Sequence, residues 1–294
     1  MKSKDFKLSD GRNLDLLLGD NFEELVKSGK HAIVFHHGTP SCAFAWSEEI
    51  ALLDSLNIPA IAYSRAGYHT SSRKTGRSVI DVNNDIKELI RAFGINSFTA
   101  IGWSGGGPHA LANGLLEECK SVIVLAGVGP YGKPDLDFLA GMGQDNHEEF
   151  GAALAGAAEI NKWMELNGAS LKVVTGAELR ETDGNLFSTN DRKLMKDEKY
   201  SENLAKNFRD SLSASFDGWI DDDFVFIKNW GFEPSDIKKP VTIFQGDEDL
   251  MVPKQHGKWL LKNLPSAEII ELRGFGHMGL FTSNQEVILS KIKN

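Results

Sequence analysis

Residues 102–109 read GWSGGGPH. The stretch before them, SFTAIGW (97–103), is apolar and partly β-branched, as a buried strand would be. The stretch after them, PHALANGLLEEC (108–119), reads as a helix. Gly102-Trp103-Ser104-Gly105-Gly106 therefore places a serine on a strand-to-helix turn in a G-x-S-x-G setting. Such a turn crowds its own backbone and needs small neighbours. It lifts the hydroxyl off the sheet and sets it at a helix N-terminus, whose free N–H groups favour developing negative charge. The bland alternative is a glycine-rich helix entry with Ser104 as N-cap.

Strand and helix alternate outward from this point. AIVFHHG is a continuous apolar run, PAIAYSR a further strand, and SVIVLAGV another. WSEEIALLDSLN reads as a helix, and SVIDVNNDIKELIRAFG puts Val82, Ile86, Leu89, Ile90 and Phe93 on one helical face and ends at Gly94. FKLS and NLDLLLG around DGR predict a hairpin at an antiparallel sheet edge. The alternation predicts a mostly parallel sheet wrapped by crossover helices. It stops near Pro130. From about Tyr131 to Glu233 the pattern is helical with Gly and Asp breaks, clearest in HEEFGAALAGAAEINKWMEL (147–166) and SENLAKNFRDSLSASF (201–216). It resumes with PVTIFQGDED, a helix near QHGKWLLKNL, the strand AEIIELRG and a last helix through NQEVILSKIK (284–293). The expected organisation is a core of residues 1–130 and 234–294 with residues 131–233 inserted as a helical cap.

The 294 residues suffice for a large core, and 41% hydrophobic with 25% charged residues is a soluble composition. A net charge of −9 argues against nucleic acid and anionic membrane partners. No stretch approaches a membrane span, and the N-terminus has no apolar signal core. Two cysteines, Cys42 and Cys119, make no disulfide framework, so a cytoplasmic location is expected.

A serine nucleophile needs a base. His277, in RGFGHMGL between the last strand and last helix, falls at the sheet edge that carries Ser104. His31, His69, His147 and His256 have no comparable setting, and His109 lies in the helix after Ser104, facing away. His36 and His37 end a strand but lack a third metal ligand at a recognised spacing, so no metal is expected. The base needs an acid, and FQGDEDLMVP offers one in the order Ser, acid, His. Asp249 is preferred over Asp247, with Asp135 and Asp137 as the remaining alternatives. For an oxyanion hole the amide of Gly105 and that of Thr39, in HHGTP at a strand end, are the natural donors.

Together these pieces resemble the α/β-hydrolase family: the elbow GWSGG, the strand end HGTP, the acid turn GDEDLMVP and the base loop GFGH occur in family order over nearly the whole chain. The resemblance implies Ser104 as nucleophile, Asp249 as acid, His277 as base, Thr39 and Gly105 as oxyanion donors, and a cap that shapes the pocket. HGTP is similar to the H-G-x-P loop of epoxide hydrolases and haloalkane dehalogenases, but those use an aspartate where this chain has Ser104. Proline iminopeptidases are similar in scale and cap position, with H-G-G-P-G where this chain has HGTPS. The expected activity is hydrolysis of a small carboxylic ester through an acyl-enzyme, without a cofactor. Trp103 and Trp230 are candidates for an apolar acyl pocket, with core packing as the other reading of each. One alternative is an aminopeptidase or amidase that holds a substrate ammonium on a cap carboxylate, with Glu148, Glu149, Glu159 and Asp221 to Asp223 as candidates. Another is a ligand-binding protein that kept the fold. The oligomeric state is open.

Overall fold

The structure is a computed structural model and describes residues 1–292. Its strands are β1 (Lys2–Lys7), β2 (Asn13–Leu18), β3 (Ala32–His36), β4 (Ala60–Tyr63), β5 (Phe98–Trp103), β6 (Cys119–Leu125), β7 (Val241–Gly246) and β8 (Ala267–Leu272). They form one sheet in the order β1-β2-β4-β3-β5-β6-β7-β8. The first two pairings, β1 with β2 and β2 with β4, are antiparallel, and the rest are parallel. Every residue of β3, β4 and β7 is buried, which is why these segments are apolar runs rather than alternating patterns.

The edge hairpin closes where Asp-Gly predicts it. The Leu8 amide donates to the Arg12 carbonyl at 2.8 Å, and Gly11 takes a φ of +88°. Leu8 and Ser9 thereby belong to the turn and not to the strand, which instead runs back to Lys2. The helix Val82–Phe93 buries Val82, Ile86, Leu89 and Ile90 and ends at Gly94, whose φ of +71° suits a glycine C-cap. Each of its buried aliphatic side chains contributes roughly 1.5–3 kcal/mol.

The helix after Ser104 is shorter than PHALANGLLEEC suggests, spanning Gly106–Asn113. The chain must already lie in the sheet at Glu118, whose carbonyl accepts the Phe98 amide at 3.0 Å. Between β6 and β7 the described residues form helices and turns without a strand, including Gln144–Ala155, Ala157–Trp163, Gly176–Glu181, Thr189–Met195, Glu198–Ser211 and Asp217–Phe226. The run over 147–166 is not one helix: Gly156, at φ +115°, breaks it. Of the run over 201–216, Ser211 is the last helical residue. These helices form an inserted cap over the carboxyl ends of the parallel strands. After β7 come the helices Gln255–Asn263 and, following β8, Gln285–Ser290; the end of the expected run at residue 293 lies outside the described residues. No helix among the described residues is long and apolar enough to cross a membrane.

Candidate active site

Ser104 directly follows β5 and has φ +56°, a left-handed conformation that a non-glycine residue adopts only under constraint from its surroundings. Its amide donates to the Leu125 carbonyl and its own carbonyl accepts from Gly107, both at 2.9 Å. The flanking glycines are required by close approach. A Cβ on Gly102 would lie 2.3 Å from the Gly106 carbonyl oxygen, and one on Gly106 2.2 Å from that of His36. The turn is thus wedged between its own helix and the end of β3.

The end of β3 continues into Gly38-Thr39-Pro40, with a cis Thr39–Pro40 bond. Thr39 touches the elbow: a Cβ on Gly105 would meet Thr39 Oγ1 at 2.4 Å and Phe226 of the cap at 2.8 Å. Among the described residues neither the Thr39 nor the Gly105 amide donates to a protein acceptor. Two unused amides on adjoining residues beside a serine hydroxyl are the arrangement that can hold an oxyanion.

His277 follows β8 and Asp249 follows β7. His277 Nδ1 and Asp249 Oδ2 are 2.8 Å apart, and both side chains are buried. Asp249 Oδ1 accepts the amides of Met251 and Val252 at 2.9 and 2.8 Å, which fixes the carboxylate. Burial disfavours the imidazolium, but the charge and hydrogen bond of Asp249, with a contribution from Asp191, outweigh it and hold the His277 pKa above its ordinary value. The other acids lie elsewhere. Asp247 is exposed and accepts the Gly274 amide. Asp135 pairs with Trp259 and Lys262, and Asp137 is exposed.

Two cap carboxylates grip the loops of the site: Asp222, which the sequence offered only among the cap acids for a substrate ammonium, and Asp191, which it did not single out. Asp222, fully buried on the helix Asp217–Phe226, accepts from Thr39 Oγ1 at 2.6 Å, Arg65 at 2.5 Å, Arg77 at 2.7 Å and Tyr68 at 2.9 Å. Arg65 in turn donates to the carbonyls of His37 and Gly38. Burial would push the Asp222 carboxyl up, but the Arg65 and Arg77 guanidiniums hold it well below the usual range. Asp191, on the helix Thr189–Met195, accepts the amides of His277 at 3.2 Å and Met278 at 2.8 Å. The signal for Asp222 was the run of three aspartates in the cap; Asp191 gave none.

His36, His37 and His109 make their hydrogen bonds outside the cavity. His36 bonds Asn113 through Nε2 and Tyr63 through Nδ1, and burial drives its pKa down to about 3. His37 bonds the Gly38 carbonyl and the Arg65 amide, which a neutral Nδ1–H tautomer satisfies. His109 Nδ1 lies 2.9 Å from the Gly105 carbonyl within its own helix.

Ser104, Gly105, Thr39 and His277 line one cavity of about 440 Å³ between sheet and cap. Trp103 lines it too, and its Nε1 donates to the His277 carbonyl at 3.2 Å. Trp230 does not. It is packed in the main core beside Phe232. Of the cap acids named from sequence, Glu149 and Asp223 lie in the cavity wall with the exposed Glu148, whereas Glu159 is exposed elsewhere and Asp221 is held by Arg73 at 2.8 Å.

No curated protein matches the chain in sequence. Among solved structures it is similar to an esterase from Exiguobacterium antarcticum (16% identity, TM-score 0.70, covering 98% of each chain). It is similar to a bromoperoxidase from Bacillus anthracis (20%, 0.69, covering 98% of this chain and 99% of that one). It also resembles an enol-lactonase from Burkholderia xenovorans (14%, 0.69, covering 98% and 97%). At such identities these likenesses speak for the fold, which carries several chemistries. The family model described as alpha/beta hydrolase fold matches residues 31–283, which is most of the chain, and with the sheet order, the turn at Ser104 and the inserted cap it establishes that the protein belongs to the α/β-hydrolase family.

Proposed function

We propose that the protein is a serine hydrolase that cleaves a carboxylic ester through an acyl-enzyme. The observation that carries this reading is the 2.8 Å contact of His277 Nδ1 with Asp249, at a cavity that Ser104 shares on a strained turn. In the proposed reaction Ser104 Oγ bonds to the ester carbonyl carbon and its proton passes to His277 Nε2. Asp249 holds the Nδ1–H tautomer and stabilises the imidazolium. The amides of Thr39 and Gly105 receive the negative oxygen of the tetrahedral intermediate. The intermediate collapses, the carbon–oxygen bond to the alcohol breaks, and the alcohol leaves with the proton of His277. Water then attacks the acyl-Ser104 carbonyl, giving its proton to His277, and the carboxylic acid departs as Ser104 recovers its proton. These steps call on the chain's own residues throughout.

A fluorophosphonate, which traps an activated serine, tests the reading. Mass mapping should place the label on the peptide bearing Ser104, and Ser104→Ala should abolish both label and turnover while the fold persists. Label on another serine would overturn the assignment.

A further inference from the structure

Behind the Ser104 cavity lies a second one of about 460 Å³, for which the proposed acyl transfer has no use. It sits between the core helices Ala43–Trp46 and Ser47–Ser55 and the cap helix Glu198–Ser211. Phe44, Leu194, Tyr200 and Leu204 give it an apolar interior, and the exposed Glu48, Lys199 and Lys206 stand at its rim. Glu48 pairs with Lys199 at 2.8 Å, core helix to cap helix. Among the described residues Trp103 alone lines both cavities.

The indole of Trp103 is wedged where it stands. Its Nε1–H donates to the His277 carbonyl at 3.2 Å, and the indole and imidazole centroids are 5.4 Å apart. On the other side a Cβ on Gly38 would lie 2.9 Å from the six-membered ring. A side chain packed between the base loop and the end of β3 is a fixed wall between the two spaces, because close-packed surroundings leave it no second position.

We propose that Trp103 is the stop on the alcohol half of the ester: the site takes esters of short alcohols, and the second cavity is the space that a longer alkyl chain would enter if the indole were removed. The proposal rests on the acyl transfer at Ser104. In that reaction the departing alcohol takes its proton from His277, so its oxygen lies within hydrogen-bond reach of the imidazole. A chain continuing from that oxygen runs onto the indole packed beside the imidazole. The acyl chain, on the far side of the carbonyl, has the cap for its surroundings, where Phe226 abuts Gly105.

Two ester series test this, read as kcat/KM: butyl against octyl acetate for the alcohol half, and p-nitrophenyl butyrate against octanoate for the acyl half. In the wild type octyl acetate should be no better than butyl acetate. Trp103→Ala should raise the octyl-to-butyl ratio by about ten- to a hundredfold, since each methylene fully removed from water is worth roughly fourfold and the second cavity is open at its rim. The octanoate-to-butyrate ratio should stay as in the wild type. Trp103→Phe, which loses the bond to His277 but keeps a ring, should hold the wild-type alcohol ratio whatever it loses in rate. Ala45→Phe, added to Trp103→Ala, fills the second cavity and should cancel the gain. If Trp103→Ala is too slow to assay, thermal melts read the same point: 1-octanol should stabilise it more than the wild type. A wild type that already favours octyl acetate overturns the stop and leaves the hydrolase reading intact. So does a Trp103→Ala gain confined to the acyl series, or a Trp103→Ala variant with neither an altered alcohol ratio nor added octanol stabilisation. A wild type that turns over neither series and takes no label on Ser104 overturns the hydrolase reading and the stop with it.

Discussion

Asp191 Oδ1 accepts the backbone N–H of Met278 at 2.8 Å, while Oδ2 takes that of His277. A carboxylate from a cap helix thus holds the two amides of the loop that presents His277. Gly276, just before, has no room for a side chain, since a Cβ there would lie 2.0 Å from Asp191 Oδ2. The loop's aim is therefore set from above by the cap and from within by Asp249.

Asp191→Asn should lower kcat about ten- to a hundredfold, the penalty expected when a reacting group shifts by part of an ångström to an ångström. Its charge also favours the imidazolium of His277, so the variant should move the rising limb of the kcat/KM profile to lower pH. A pH–rate series on a p-nitrophenyl ester checks both. A lower rate with an unmoved profile would reduce Asp191 to scaffolding.

Asp249→Asn should cost on the order of 10⁴ in kcat, because an amide cannot hold the same tautomer of His277. Asp247→Asn should be far milder, since Asp247 serves only the turn at Gly274. Steady-state kinetics of the two variants decide between them, and a reversed order would reassign the acid.

The pH profile of the wild type follows from His277. Only the neutral imidazole can take the Ser104 proton. Asp249 and Asp191 raise the pKa against the pull of burial, so kcat/KM should rise with pH through a single ionisation above the ordinary value of about 6.5. His277→Gln should lose that ionisation together with nearly all activity. The same profile and rate in the variant would mean that another group is the base.

Asp222→Asn should destabilise the fold by about 3–5 kcal/mol, because it leaves Arg65 and Arg77 buried without their partner. The sign of the pH effect follows from the depressed folded-state pKa. The stabilisation from this carboxylate is complete above its unfolded pKa near 3.9 and is lost as pH falls through the lower folded value. Urea melts from pH 7 down to pH 2 should show a steep acid loss in the wild type and a shallower one in the variant. Equal slopes would place the acid sensitivity elsewhere.

The parts legible in sequence were those with a local rule behind them. The βα alternation, the Asp-Gly hairpin, the glycine-framed turn at Ser104 and the strand-end positions of Asp249 and His277 all follow from patterns within a few residues. The parts that escaped depend on distance. Arg65 and Asp222 are 157 residues apart, and Asp191 meets His277 across 86. In sequence each is one more charged residue, ordinarily expected to be solvated. The breaks at Gly114 and Gly156 escaped because a glycine inside a helical pattern costs only about 1 kcal/mol and is often tolerated. Trp230 carries the same bulk as Trp103, and only tertiary packing separates a core indole from one in the wall of the cavity beside Ser104.

The clamp formed by Asp222 with Arg65 and Thr39 bears on how such a protein can be re-engineered. A chimera that exchanged the cap of this chain for a relative's would strip the salt-bridge partner from two buried guanidiniums and unfasten the loop that carries Thr39. The natural seam for a graft therefore does not run where the chain enters and leaves the cap. It runs inside it, since the helices bearing Asn146, Asp191, Asn207 and Asp222 are hydrogen-bonded to the core beneath.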